Sequence, residues 1–241
     1  MLSGLYLAGN ALVVQSERQD AIAANLANAS TAGYKRICVG VQACNSPFAN
    51  ELAAALGGAD QYPYLSTTSH LDDSPGPLMS TGNACDLAIQ GAGYFAVQGP
   101  AGEAYTRDGC FKLDADGLLV DQQGRAVLGQ RGPIRIDGTE WSVGEQATVV
   151  VDGQVVDSLK IVDFPEALAS KQGDGLFAVP KAAVRMVPAP VVRSGQLEGS
   201  NVRAVEEMVN MISALRAFEA SQRIIQAQDQ TLDRAVNEVG R

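Results

Sequence analysis

Apolar and small residues recur every three to four positions near the start of the chain. From Leu2 to about Asn28 the run contains no Pro, and the recurring positions are Leu5, Ala8, Leu12, Gln15, Gln19, Ile22 and Leu26. This spacing is typical of a helix that packs along one side in a heptad pattern. The polar, Gly-containing stretch 28–33 that follows predicts the end of the helix.

The other end of the chain repeats this arrangement. No Pro or Gly occurs from Val202 to Val239, and residues 199–201 offer an N-cap before the run. The apolar positions are Val205, Met208, Ile212, Leu215, Phe218, Ile225, Leu232, Val236 and Val239. A helix of this extent would be about 55–60 Å long, at a rise of about 1.5 Å per residue. Since a small domain cannot enclose it, we expect it to project or to lie along another surface.

Short β-like runs broken by turn signals fill the region between the helices. The candidate strands are residues 85–90, 94–98, 103–107, 110–114, 118–121, 126–129, 133–136, 148–152, 154–164, 176–179, 184–187 and 191–197. Asp152-Gly153 is the strongest hairpin signal, because both residues tolerate the positive φ of a type I′ turn.

The predicted fold class is therefore α+β, with N- and C-terminal helices paired as a coiled coil and a central, mostly antiparallel β domain. We divide the chain into an N-terminal helix and its following segment (1–36), a linker or extended arm (37–80), a β domain (81–199) and a C-terminal helix (200–241).

In both predicted helices, unusually many polar residues lie on the side that the heptad pattern expects to be packed, which we call the seam. Gln15 and Gln19 occupy seam positions of the first helix, and Glu219, Gln222 and Asp229 interrupt the second. Because helices gain most of their stability from packing, such a pair holds itself together weakly. We hypothesise that both ends are loosely ordered in the monomer and fold upon assembly with neighbouring copies. The alternative is a helical hairpin packed on the chain's own β domain.

Charge and composition exclude several classes of function. The net charge is −9 over 241 residues. The two ends are nearly balanced, with five Arg against six acids in 200–241, so the acidity resides in 37–199. An acidic body argues against nucleic-acid binding. No apolar run is long enough to span a bilayer, and the N-terminus does not resemble a cleaved signal peptide. With one His and no CxxC, a zinc site is not expected, and we interpret the four cysteines as packing residues.

Residues 23–36 read A-A-N-L-A-N-A-S-T-A-G-Y-K-R, which closely resembles the N-terminal signature A-N-N-L-A-N-x-x-T-x-G-[FY]-K of the flagellar rod and hook axial proteins. Ala24 stands where that signature more usually has Asn. Residues 200–219 resemble the family's C-terminal signature, and 87–95 and 105–109 resemble the opening of its β core. The resemblance covers nearly the whole chain and is weakest over about 37–70.

The resemblance implies a structural rod subunit that needs no cofactor and no metal, and is not an enzyme. It implies export through the flagellar type III apparatus without cleavage, to the part of the basal body that crosses the periplasm. The implied partners are other rod proteins and copies of the chain itself, without membrane insertion. The expected assembly residues are Leu5, Leu12, Ile22, Asn25, Leu26, Asn28, Gly33, Asn201, Val205, Met208, Ile212, Leu215, Phe218, Ile225 and Leu232.

Within the family, residues 75–83 and 236–241 are more similar to the proximal rod type than to the distal rod or hook type. Two other classes stay open: a small secreted cell-wall enzyme, and a binding module that uses the C-terminal helix alone as a groove ligand. The enzyme would require clustered catalytic acids. The sequence offers only turn aspartates, such as those of 114–117, and a lone His70 in a polar loop.

Overall fold

The computed structural model describes residues 2–44, 64–99, 102–165, 169–173 and 175–239, and the side chains of 2–7, 64, 232 and 235–239 lie outside its description. The chain forms two compact units. The helical unit contains the first helix, the strands that follow it as far as His70, and the last helix. The β unit contains the described residues of 28–36 and 71–202.

Two long helices dominate the helical unit. Helix α1 spans Leu2–Ala27 and helix α2 spans Ala204–Val239, with 26 and 36 residues. Both lie close to the predicted bounds, and the two helices pack against each other. The α+β class is therefore confirmed, whereas coiled-coil geometry for the helix pair stays a prediction.

A two-stranded sheet accompanies the helices. It pairs β1 (Ile37–Cys44) with β2 (Tyr64–Leu71). Both strands lie in the predicted linker or arm, and residues 45–63 of that segment are outside the described residues. Strand β1 also packs against α1.

The β unit is built around a six-stranded antiparallel sheet in the order β13-β14-β6-β5-β12-β15. Its strands are β5 (Tyr94–Gly99), β6 (Gly102–Thr106), β12 (Ile161–Asp163), β13 (Ser170–Gly173), β14 (Leu176–Ala178) and β15 (Arg185–Met186). A three-stranded sheet joins β9 (Trp141–Val143), β10 (Thr148–Val151) and β11 (Gln154–Ser158).

Three further strand pairs complete the β unit. They join β3 (Leu78–Ser80) to β17 (Gln196–Glu198), β4 (Leu87–Gln90) to β16 (Val191–Ser194), and β7 (Lys112–Leu113) to β8 (Leu119–Val120). A short 3₁₀ helix spans Lys181–Ala183.

Strand β5 shows why the sequence of a central strand of the β unit is apolar at almost every position. Phe95 and Val97 point into one hydrophobic cluster, and Tyr94 and Ala96 into a second one. Successive side chains of a strand face opposite sides of the sheet, so a strand buried on both sides is apolar throughout. Phe95 packs edge-to-face on Phe111, with ring centroids 5.2 Å apart.

The Asp152-Gly153 turn is confirmed. Asp152 and Gly153 have φ values of 48° and 80°, and the flanking residues Val151 and Gln154 pair directly across β10 and β11. Both φ values lie in the left-handed region that a type I′ turn requires.

Some predicted strands differ from the observed ones. Residues 126–129 and 133–136 form only isolated bridges. The predicted strand 154–164 divides into β11 and β12, which belong to different sheets. The predicted strand 191–197 divides at Gly195, whose φ of 73° interrupts the extended backbone between β16 and β17.

Candidate assembly site

The predicted residues of α1 lie where its seam was expected. Ile22 is buried, and Leu12 and Leu26 are partly buried. The side chain of Leu5 lies outside the described part of the chain. Among the described residues of α1, Val13, Glu17 and Asp20 are exposed on the opposite side, whereas Arg18 is exposed on the side of Ile22.

Asn25 connects the end of α1 to the start of β1. Its Nδ2 donates a hydrogen bond to the carbonyl oxygen of Ile37 at 2.9 Å, and its Oδ1 accepts one from the Ile37 N–H at 2.8 Å. The amide thus pairs with both backbone groups of one residue, as a neighbouring strand would. The Asn25 amide thus binds the first residue of β1.

Asn28 forms a local turn just after α1. Its Oδ1 accepts a hydrogen bond from the Thr31 hydroxyl at 3.2 Å, and its carbonyl accepts one from the Thr31 N–H at 3.1 Å. These contacts match ordinary capping at a helix end.

Gly33 reverses the chain after α1. Its φ is +65°, and its N–H donates to the carbonyl oxygen of Glu198 at 2.7 Å. A Cβ at this position would lie 2.4 Å from the backbone nitrogen of Asp108 and 2.5 Å from the carbonyl carbon of Arg107. Only glycine combines this φ with so close an approach.

A buried ion cluster formed by Lys35, Arg107 and Glu198 lies next to Gly33 in the β unit. Lys35 Nζ is 2.8 Å from Glu198 Oε1, and Arg107 Nε is 2.5 Å from Glu198 Oε2. The three side chains are only 3–4% exposed. Each cation therefore bonds one oxygen of the same carboxylate, and the three come from widely separated parts of the sequence.

The surroundings of Glu198 keep its carboxyl ionised. Burial alone would raise the pKa of Glu198, but the charge of Arg107 and hydrogen bonds from Lys35, the Gly76 N–H and Arg107 outweigh it. The pKa of Glu198 therefore lies below its ordinary value of 4.5.

Arg107 also holds the turn that precedes β5. Its Nη2 donates to the carbonyl oxygens of Ile89 and Gly91, and its Nη1 donates to that of Gly93. The guanidinium has a fixed fork of donors that suits several acceptors at once. The two core motifs, residues 87–95 and 105–109, are thus parts of a single hydrogen-bonded arrangement.

Asn201 joins the C-terminal signature to two other segments of the β unit. Its Oδ1 accepts from the Arg36 N–H at 2.8 Å, and its Nδ2 donates to the Asp72 carbonyl at 2.7 Å and to the Ser74 carbonyl at 3.1 Å. We expected an N-cap within residues 199–201, but α2 begins only at Ala204 and the Asn201 side chain is used in the β unit.

The predicted residues of α2 fall on two different sides. Phe218 and Ile225 are partly buried, whereas Val205, Met208, Ile212 and Leu215 are 45–76% exposed. The side chain of Leu232 lies outside the described part. The less exposed positions recur at heptad spacing and are Ala204, Glu207, Met211, Ala214, Phe218, Ser221, Ile225 and Gln228, with Ala217 beside them. The side of α2 covered by its own chain is therefore not the most apolar side of the helix.

The described residues contain no group of three or more His, Cys, Asp or Glu side chains placed to hold a metal. The four cysteines all lie within the described part, where they form no disulfide and are partly exposed. Neither described helix has a stretch apolar enough over the required length to cross a membrane.

These features define a class of protein. It is a structural protein with one β unit, in which the two ends of the chain continue as a pair of long helices. Three family models match the chain. They are "Flagella basal body rod protein" over residues 5–35, "Flagellar hook protein FlgE/F/G D1 domain" over 88–156 and "Flagellar basal body rod FlgEFG protein C-terminal" over 193–238.

Relatives match along the full length. The flagellar basal-body rod protein FlgF of Escherichia coli K12 is 31% identical, with 96% of each chain covered. FlgF of Mesorhizobium japonicum is 30% identical over 100% of this chain and 99% of its own. The rod protein FlgG of Bacillus subtilis 168 is 31% identical over 98% and 99%. The chain therefore belongs to the flagellar basal-body rod protein family.

As a member of that family, the chain is a structural component of the rod and not an enzyme. The alternative of a cell-wall enzyme is not favoured. Sequence reasoning singled out Gly33, Asn25 and Asn201 but missed the cluster in which Glu198 pairs with both Lys35 and Arg107. The available signal was two charged residues, Arg107 and Glu198, each within two positions of a glycine.

Replacing Glu198 by Gln should strongly destabilise the β unit. Removing one member of a buried ion pair costs about 3–5 kcal/mol, because the remaining charges stay buried without compensation. Chemical denaturation at pH 7 measures the free energy of unfolding. The matched control is Glu145→Gln, whose pair with Arg193 is 42–71% exposed and should contribute less than about 1 kcal/mol.

The same comparison should depend on pH. Because the folded-state pKa of Glu198 is lowered, its stabilising contribution is fully present above the ordinary value of 4.5. The contribution is lost as the pH falls through the lower, folded value. The stability difference between wild type and Glu198→Gln should therefore shrink below about pH 4.5. A difference that stays constant down to pH 3 would contradict the ion cluster.

Replacing Gly33 by Ala should destabilise the protein by more than backbone strain alone. A left-handed φ costs a non-glycine residue about 1–2 kcal/mol, and the clash with Asp108 and Arg107 adds to it. Gly124→Ala is the control, since Gly124 has a φ of +82° and open space around its Cβ position. Equal losses of unfolding free energy in the two variants would show that the close approach at Gly33 is unimportant.

Proposed function

We propose that this chain polymerises through its terminal helices, paired as a coiled coil, and forms part of the shaft that links the flagellar motor to the hook. The observation that carries the proposal is the contact between α1 and α2 at the two ends of the sequence. We favour the proximal rod type, represented by the FlgF relatives, over the distal FlgG type.

The composition of the helix pair supports a role in assembly. Four buried polar atoms of the helices have no hydrogen-bond partner among the described residues: Asn10 Nδ2, Gln15 Oε1, Gln19 Nε2 and Gln228 Oε1. A buried polar atom without a partner costs about 1–3 kcal/mol. The pair is therefore weakly stabilised by its own contacts, which favours helices that become firmly ordered only among neighbouring copies.

The proposal extends to the route and place of assembly. The protein would leave the cell through the flagellar type III apparatus without cleavage and join other rod proteins in the part of the basal body that crosses the periplasm. It would neither bind nucleic acid, given its net charge of −9, nor insert into the membrane. The expected interface consists of the predicted assembly residues of α1 and α2, together with Asn28, Gly33 and Asn201 in the adjoining segments.

Hydrogen exchange should distinguish the monomer from the assembled form. We expect fast exchange in residues 2–27 and 204–239 of the dilute monomer, and slow exchange of the same amides in the rod, because local stability follows packing. The residues of the six-stranded sheet provide the internal reference and should be protected in both states. Strong protection of both helices in the monomer would refute ordering upon assembly.

Removing either helix should abolish incorporation and leave the β unit folded. Deletion of residues 1–30 or 205–241 retains Gly33, the buried ion cluster and Asn201, all of which belong to the β unit. Circular dichroism and denaturation check folding, and recovery in isolated basal bodies checks incorporation. If either truncated chain enters basal bodies as well as the full chain does, the proposed pairing of the ends is wrong.

A further inference from the structure

A cavity of about 440 Å³ lies in the β unit, between the three-stranded sheet and the segment 186–190. Its volume falls in the range of about 300–1,000 Å³ that is usual for the binding sites of small ligands. The described residues that line it include no charged side chain. The lining combines a buried apolar base, Leu159 and Ile161, with four uncharged polar residues, which are Gln130, Gln146, Thr148 and Ser158.

The four polar side chains form no hydrogen bond with any other part of the chain that the structure describes. Thr148 and Ser158 are directly opposed on β10 and β11, so their hydroxyls lie on the same face of the sheet. Thr148 points away from the core, because the alternate residues Val149 and Val151 are the buried ones of β10. The cavity thus presents two hydroxyls and two amides, each of which can both donate and accept.

The backbone of the lining is largely used within the β unit. The N–H groups of Gln130, Leu159 and Val187 all donate to carbonyl oxygens of the same unit. Pro188 and Pro190 have no N–H to donate. Recognition in the cavity therefore falls to side chains, which favours a ligand with hydroxyl or amide groups over an extended peptide that pairs through its backbone.

The charge of the lining also restricts the ligand. Glu145 and Lys160 adjoin lining residues in the sequence, but they pair with Arg193 and Glu103. An ion that enters an uncharged cavity loses its hydration without gaining an opposite charge. The cavity therefore favours a neutral ligand.

We propose that this cavity binds a neutral N-acetylated sugar, whose ring carries hydroxyls, an acetamide group and an apolar methyl group. The hydroxyls of the sugar suit Thr148 and Ser158, and its acetamide suits Gln130 and Gln146, because an amide offers both a donor and an acceptor. The methyl group suits the apolar base of the cavity. The site goes beyond the proposed function and does not depend on polymerisation: it gives the subunit affinity for a glycan of the compartment in which it assembles.

Binding at one such site is weak. The lining residues include no aromatic ring on which a sugar could pack. A ligand of about 15 non-hydrogen atoms is then expected to bind with a Kd on the order of 1 mM. Repetition of the site along a polymer raises the overall affinity for a repeating glycan, because linked sites bind together.

Amide chemical shifts of the dilute, full-length protein test the class of ligand. Chitotetraose, an oligomer of an N-acetylated sugar, should shift the amides of 130, 146–148, 158–161 and 186–189 in a saturable way at millimolar concentration. Maltotetraose, which has no acetamide group, and N-acetylglycinamide, which imitates a peptide backbone, are the controls. Both should bind at least about tenfold more weakly, because each lacks part of the matching hydrogen bonds.

Four results would overturn the proposal. They are the absence of a saturable shift around the cavity, equal affinity for chitotetraose and maltotetraose, tighter binding of N-acetylglycinamide, and a shift of these amides that requires only a higher concentration of the protein itself. The third would assign the cavity to a peptide and the fourth to a second copy of the chain. None of them bears on polymerisation, which the helix deletions test separately.

Three full-length variants locate the site. Thr148→Val and Ser158→Ala each remove one hydroxyl from the cavity, and the control Ser142→Ala removes one from the exposed side of β9 in the same sheet, outside the lining. All three should keep the wild-type thermal melt, since none of these hydroxyls is hydrogen-bonded within the described chain. Thr148→Val and Ser158→Ala should weaken chitotetraose binding about three- to tenfold, and Ser142→Ala should not. Wild-type affinity in both cavity variants, or equal losses in all three, would overturn the assignment to this cavity.

Sedimentation with purified cell-wall sacculi identifies the source of the sugar. Sacculi present N-acetylated sugars at high density, so the wild-type chain should sediment with them and excess chitotetraose should release it. Thr148→Val should sediment severalfold less. Binding of chitotetraose without any sedimentation would overturn the wall as the source and assign the cavity to a soluble glycan of the same chemistry.

Discussion

The bond between one buried carboxylate and two buried cations is the constraint on which the β unit depends. Glu198 accepts from Lys35 just after the first helix and from Arg107 in the middle of the chain. The cluster has two cations for one anion, so removing the carboxylate would leave two unpaired buried cations, whereas removing one cation would leave a single ion pair. Both cations therefore depend on the carboxylate, and each of the three positions lies in a different segment of the chain.

The neighbouring contacts extend this arrangement. Gly33 donates its N–H to the Glu198 carbonyl and packs on the peptide between Arg107 and Asp108. Gly76 donates its N–H to the Glu198 carboxylate, and a Cβ on Gly76 would lie 1.9 Å from the Gly199 oxygen. The glycines permit backbones to approach closely, and the charged groups hold them there. The positions of Gly33 and Lys35, both in the N-terminal motif, are thus explained by geometry within the β unit.

Much of this could be predicted from sequence. Helix bounds followed from uninterrupted heptad spacing, and the Asp152-Gly153 turn followed from the tolerance of both residues for positive φ. Local patterns failed where tertiary contacts decide. The division of 154–164 between two sheets carries no local signal, and the pairing of Lys35 with Glu198 spans 163 positions. For α2, the apolar residues were expected to be the covered ones. Along part of the helix these residues are exposed instead.

The separation of Lys35 from Glu198 also has a consequence for the timing of folding. During synthesis the cations of residues 35 and 107 emerge long before their common anion. Until residue 198 has left the ribosome, the ion cluster cannot close, and the loop that it closes carries a large entropic cost. The segments that the cluster joins can therefore be held together only when nearly the whole β unit has been made.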